Sequence, residues 1–323
     1  MTSDVMATLA KWNETLVRDE DDTIAICFGL SVTLYFHNGH TAEKRRASLE
    51  CFNEYEKLCG SSLRWHRVTA NSSRFSPTAK LRNRDMSPYL LSSEWEQEEL
   101  RDQAWAFYWH GGDHKDDASA LKINAFGSPR MKAELHNSLS FIQMSFPILQ
   151  FGDKLELFYE FVLRCCELLK PFHGYGGIAL ITSPDRGLVQ SYSPDIAAFA
   201  FRYPGIEIDR PMSHKFAIQE GIKGGNWLTI LSNHFVEKLD GSDNIIKKLE
   251  EPFVLESYND GILVIAGTAP EVGDRNRNID TPQYRKLAKV LRPIRIRYHP
   301  CVYPKGRFSE EGVFAEWMAR FDE

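Results

Sequence analysis

"FVLESYNDGILVIAG", residues 253–267, decides the fold. Two strand-like arms flank Asp260-Gly261, a pair that supplies the positive-φ residue a tight reversal needs, so the stretch reads as a β-hairpin. Downstream, Thr281-Pro282 places a capping hydroxyl before a proline at the first helical position. Tyr284, Leu287, Ala288 and Leu291 then mark a helix that ends before Pro293. The last segment, "FSEEGVFAEWMARF", is amphipathic and helical, with Ser309 as its cap.

Working upstream gives the same grammar. "GNWLTILS" is strand-like, "NHFVEKLDG" is a helical turn closed by Gly241, and a helix opens near Asn244. "GDKLELFYEFVLRCCELLKP" is the clearest helix, with Phe158, Phe161, Val162, Cys165 and Leu169 on one face, Asp153 as its expected cap and Pro171 as its stop. "GYGGIALITS" follows as a buried strand. Nearer the start, Val5, Leu9, Trp12 and Leu16 space a helix over 4–17, and 22–36 reads as one or two strands. Thr41 caps a second helix, "SSLRWHRVT" reads as a strand, and 70–92 as a long loop. Strands follow at "AWAFYWHG", "ALKINAFG" and "SLSFIQMSFPI". Hairpins interleaved with helices predict an α+β fold with a mixed or largely antiparallel sheet flanked by helices, in two similar strand-helix-hairpin halves. We expect a single domain over 1–323, with two sub-lobes dividing near 170–220.

The composition is globular: 43% apolar, 26% charged and 12% aromatic. A net charge of −5 leaves no basic footprint for direct nucleic-acid binding and suits a basic partner. Cys27, Cys51, Cys59, Cys165, Cys166 and Cys301 form no Cys-x-x-Cys pair, as expected of reduced, buried thiols. The N-terminal stretch lacks a basic start followed by an apolar segment, and no apolar run nears the ~20 residues of a membrane helix, so the chain reads as soluble and cytoplasmic.

"HGGDHKDD", 110–117, is the most metal-like string, and a metal-dependent enzyme using His110, His114 and the aspartates is the alternative functional reading. No second His or Cys cluster accompanies it, and a solvated acidic loop between strands, better suited to electrostatic contact than to catalysis, is the favoured reading. "GIKGGNWL" (221–228) and "HGYGGIAL" (173–180) bring glycines together but open no helix, so the N-terminus that attracts phosphate is missing. There is no Gly-x-Ser-x-Gly elbow. In "AGTAPEVGDRNRN", 266–278, the arginines after Glu271 and Asp274 oppose a second cation, so this loop reads as polar scaffold. The residues predict no catalytic role, no metal and no cofactor.

"VIAGTAPEVGDRNRNIDTPQYRKLAKVLRPIRI", 264–296, resembles the C-terminal signature of a bacterial family of type VI secretion immunity proteins. The resemblance rests on Ala266, Gly267, Pro270, Gly273, Asp274, Asn276, Pro282, Tyr284, Leu291, Pro293 and Arg295, with "GYGGIAL" and "GGNWLTILS" upstream in the family's order. It covers roughly 120–300. Of these, Gly267, Pro270, Gly273, Asp274 and Asn276 form a signature loop expected to be structural. The resemblance implies an immunity protein that binds a cognate effector toxin, a nuclease of VRR-Nuc or related restriction-endonuclease-like type, and covers its DNA-binding or active-site surface. Candidate acidic contacts are Glu96, Glu98 and Glu99 in "EWEQEEL" and Asp113, Asp116 and Asp117 in "GDHKDD", all expected to be exposed. No membrane contact is expected, and the sequence does not specify the oligomeric state.

Overall fold

The computed structural model describes residues 3–68, 74–97, 100, 102–299, 303 and 305–322. Its spine is two adjacent strands, β2 (Ile24–Phe36) and β8 (His173–Thr182), paired antiparallel over ten positions from Ile26↔Thr182 to Tyr35↔His173. On the β8 side lie β10 (Leu228–Ser232), β12 (Gly261–Ala266) and β11 (Phe253–Tyr258). On the β2 side lie β7 (Ser140–Phe146), β6 (Lys122–Gly127), β5 (Trp105–His110), β3 (Trp65–Val68) and β4 (Ser76–Pro77). β1 (Val17–Arg18) pairs antiparallel with the start of β2, and β9 (Glu207–Ile208) pairs parallel with β8 beyond the first residue of β10. The fold is therefore α+β around a twelve-stranded, almost wholly antiparallel sheet. No helix among the described residues is long and apolar enough to cross a membrane.

The two faces of the sheet differ because strand side chains alternate. One face of β2 presents Phe28, Leu30, Val32, Leu34 and Phe36, all buried under helices. Chief among these are Ala42–Cys59 and Glu156–Leu169, which pack against each other. The second helix buries Phe158, Phe161, Val162, Cys165, Cys166 and Leu169. Each buried apolar side chain of this size contributes about 1.5–3 kcal/mol. Thr41 caps the first helix through Lys44 N–H, at 3.4 Å, as its sequence predicts. Asp153 does not cap the second. That helix starts after Leu155 with no side-chain cap, because the chain first makes a turn closed by Lys154 N–H to the Phe151 carbonyl, at 2.9 Å.

The other face is polar. Tyr108, Asn124, Gln143, Thr33, Tyr175 and Thr229 stand opposite one another on six successive strands. Residues 206–223, together with His299 and Arg320, bring charges over this face. Asp209 accepts hydrogen bonds from Thr33, from Gln143 at 2.7 Å and from Tyr175 at 2.8 Å, with its side chain 3% exposed. Glu207 pairs with Lys223 at 2.5 Å and with Arg320 at 3.6 Å, and accepts from Asn226 at 3.0 Å. Carboxylates, cations and amides satisfy one another, as buried charges must. Burial holds His214 well below the usual imidazole range, with Lys223 and His299 adding to the effect, so the ring is neutral beside Asp209.

Candidate interaction surface

The β1–β2 turn, the β5–β6 loop and the start of the Arg186–Ser191 helix meet at one end of β2. Together they form an open cleft of about 730 Å³, lined by Asp19, Asp21, Asp22, Asp113, Asp116, Asp117 and Asp185 against only Arg18 and His114 as basic residues. Its frame is rigid because several of these carboxylates satisfy backbone donors. Asp19 accepts from Asp21 N–H at 3.0 Å and Thr23 N–H at 2.8 Å. Asp185 caps the following helix through Leu188 N–H, at 2.9 Å. Ser183 Oγ donates to the Asp116 carbonyl at 2.6 Å, which fixes the loop to the end of β8.

Asp117 departs from the expectation of exposure. It is buried, with Oδ1 accepting from Ile24 N–H at 3.0 Å and Oδ2 from His114 N–H at 2.7 Å, so it closes its own loop onto the first residue of β2. Asp113 is 85% exposed beside Arg64, and Asp116 is partly exposed beside Lys115. Glu96 lies elsewhere. It pairs at 2.5 Å with the buried Arg45, whose guanidinium also bonds the His40 carbonyl just beyond the far end of β2. The two acidic stretches are therefore separated by the length of β2, roughly 40 Å for 13 residues. Glu98 and Glu99 lie outside the described residues. Asp19, Asp21, Asp22 and Asp185 carry most of the cleft. The first three were signalled in the sequence only by the "RDEDD" run before a strand, and Asp185 by nothing local.

The metal-like string is divided by the fold. His110 is fully buried, its Nδ1 accepting from Gly112 N–H at 3.3 Å, while His114 stands on the exposed loop. Burial pushes the His110 ring down to about 4. Among the described residues no group of three His, Cys, Asp or Glu side chains is placed to hold a metal ion.

The 266–278 loop lies apart from the cleft and lines a groove of about 540 Å³ beside the Ser3–Glu14 helix. Asp274 takes a two-pronged pair from Arg202, both contacts at 3.1 Å, and accepts from Asn276 N–H at 3.1 Å. That arrangement holds its carboxyl below the usual range. Gly267 and Gly273 adopt φ of 83° and 68°, and a Cβ at Gly273 would lie 2.9 Å from Thr281 Cγ2. Trp227 Nε1 donates to the Gly267 carbonyl at 3.0 Å. Thr281 does not cap the Pro282–Leu291 helix with its side chain. Glu271 does so instead, accepting from Gln283 N–H at 3.1 Å.

Burial raises the Glu271 carboxyl to about 7 from 4.5. The folded chain therefore holds a proton that the unfolded chain has already released. The contribution of this group to stability falls as pH rises from about 4.5 to 7 and is flat on either side. Glu271→Gln is expected to leave the Tm unchanged at pH 4 and to raise it at pH 8. Equal Tm values for the two proteins at both pH values would refute this.

Compared with known proteins, residues 47–321 match the family model TsiV, described as type VI immunity for VRR-NUC. A solved structure titled Pseudomonas aeruginosa T6SS protein PA0821 is similar to this chain. Its TM-score is 0.84 and its sequence identity 25%, over 100% of this chain and 92% of that one. No curated protein matches the chain.

Proposed function

The chain belongs to the family of type VI immunity for VRR-NUC, and from that premise we propose that it binds a cognate VRR-Nuc effector and blocks its DNA-binding surface with the aspartate cleft. The supporting observation is the cleft itself. A nuclease surface that grips DNA is rich in Lys and Arg, because phosphate contacts dominate affinity for nucleic acid. Six aspartates around the buried Asp117, on a hydrogen-bonded frame, offer such a surface a fixed array of negative charge. Complementary charge of this kind accelerates association and excludes DNA from the same place. Neutralisation on this reading needs no chemistry, only an interface of ordinary size, about 1,600 Å² in total.

Asp21, Asp22 and Asp113 can be neutralised together without touching the frame, since Asp19, Asp117 and Asp185 carry the backbone bonds. Asparagine also tolerates the φ of 64° at Asp22. The triple Asn variant is expected to associate with the cognate nuclease on the order of tenfold more slowly at low salt. It should also protect cells less well against that nuclease. Association that is equally fast in the variant and insensitive to salt would rule out the cleft as the contact. Killing by the toxin with and without this chain alike would remove the immunity reading altogether.

A further inference from the structure

We infer that the groove beside the Ser3–Glu14 helix is an anchor pocket for a single arginine or lysine side chain of the partner, with Glu271 at its floor receiving the cation. This rests on the reading above that the partner presents a basic, DNA-gripping surface.

The groove has the two parts such an anchor needs. Its walls are apolar, supplied by Val5, Leu9 and Trp12 on one side and Pro270, Val272 and Ile279 on the other. Walls of that kind take the methylene stem of a long cationic side chain, which buries its carbons and keeps its charge for the tip. Among the described residues, ion pairs take up Asp274 and Asp280 but not Glu271, whose carboxylate accepts only backbone N–H groups, from Gln283 at 3.1 Å and from Tyr284. The backbone around it is fixed from three directions. Glu271 N–H donates to Tyr284 Oη at 3.1 Å, Gly205 N–H donates to the Val272 carbonyl at 2.8 Å, and Trp227 holds Gly267. An anchor residue entering a preformed slot loses little to reorganisation, which is where interfaces concentrate their binding energy.

The other charges facing the groove do not fill this role. Asp274 is taken up by Arg202, and Asp280 accepts from Arg285 at 2.6 Å. Arg277 leans toward Asp274 at 3.9 Å, and Lys11 lies over the Trp12 ring at 5.6 Å. Asp4 on the helix adds negative charge at the rim, and Tyr203 completes the lining, with the buried Tyr284 behind Glu271. The Glu271 carboxyl is therefore the group left to meet an incoming cation. Because burial raises it to about 7, a proton competes with that cation near neutral pH.

The test uses the full chain and its cognate nuclease, with Glu271→Gln as the variant. The glutamine amide oxygen still accepts from Gln283 N–H, so the loop keeps its bond. Wild-type affinity is expected to fall by up to about tenfold per pH unit below pH 7, by proton linkage. The variant should bind at least about tenfold more weakly at pH 8 and show no such fall. N-acetyl-argininamide titrated into the free protein should shift the resonances of residues 266–283 saturably, in the wild type only. The neutral N-acetyl-citrullinamide should shift them in neither protein. If the nuclease binds and the variant matches the wild type at every pH, the anchor is overturned while the immunity reading stands. If the nuclease does not bind at all, that reading falls. The argininamide titration then decides the pocket alone: a Glu271-dependent shift upholds it, and no shift overturns it.

Discussion

Asp209→Ala is expected to lower the folding stability of the chain by about 4 kcal/mol, read as a shift of the urea midpoint at unchanged slope. The magnitude follows from what the carboxylate satisfies. Thr33, Gln143 and Tyr175 all donate to it from the polar face of the sheet, with the last two at 2.7 and 2.8 Å, and none has water to turn to. Each buried donor left without a partner costs about 1–3 kcal/mol, less whatever local relaxation recovers. The loss should be felt first where Asp209 joins the covering layer to the sheet. Amide exchange in residues 206–223 and 313–320 is expected to speed up before exchange in β2 or β8 does. A loss under about 1 kcal/mol would mean that the sheet face is rehydrated in the variant and that the carboxylate is not its organising centre.

The second large effect is steric and sits beneath the proposed anchor. A Cβ at Gly205 would lie 1.9 Å from the Glu271 carbonyl oxygen and 2.9 Å from Val272 Cα, both backbone atoms that cannot rotate away. Gly205→Ala must therefore displace the 271–272 backbone or the entry into β9, at a cost of about 3 kcal/mol. Gly224→Ala is the matched control, because a Cβ there meets nothing within 4 Å. It should be neutral or slightly stabilising. The two alanine variants also separate stability from binding. If Gly205→Ala folds at low temperature, it should still associate through the aspartate cleft but lose the pH dependence assigned to Glu271. Unchanged stability in Gly205→Ala would show that the loop gives way without strain.

Much of this architecture was legible from local pattern. Apolar spacing placed the helix carrying Phe158, Phe161, Val162, Cys165 and Leu169, and all five are buried on it. The Asp260-Gly261 pair marked a reversal that does join β11 to β12, in register from Phe253↔Ala266 to Tyr258↔Gly261. Thr41 caps its helix as its position implied. Three other capping assignments went differently for one reason. A hydroxyl or carboxyl in the right place competes with whatever the fold brings near. The helix at Pro282 receives Glu271 from eleven residues away, and the helix after Asp153 begins beyond an intervening turn. In the last, Ser309 Oγ donates to the Gly306 carbonyl at 2.7 Å, while the Val313–Met318 helix starts after Gly312 with no side-chain cap.

The sequence by itself determined the α+β class, the main strands and helices, and the loop that carries the family signature. Each of these depends on residues within a few positions of one another, where period and turn chemistry act directly. Only the tertiary structure decided which acidic residues form a surface. Asp117 reaches Ile24 across 93 positions, and Asp19, Asp21 and Asp22 meet Asp113 and Asp185 only because β1, β2, β5, β6 and β8 end together. It alone decided that Thr33, Gln143 and Tyr175 face a buried carboxylate instead of water. A polar side chain alternating along a strand looks the same in either setting. The difference lies in which distant segment folds over that face, and strand pairing fixes that, not any local preference.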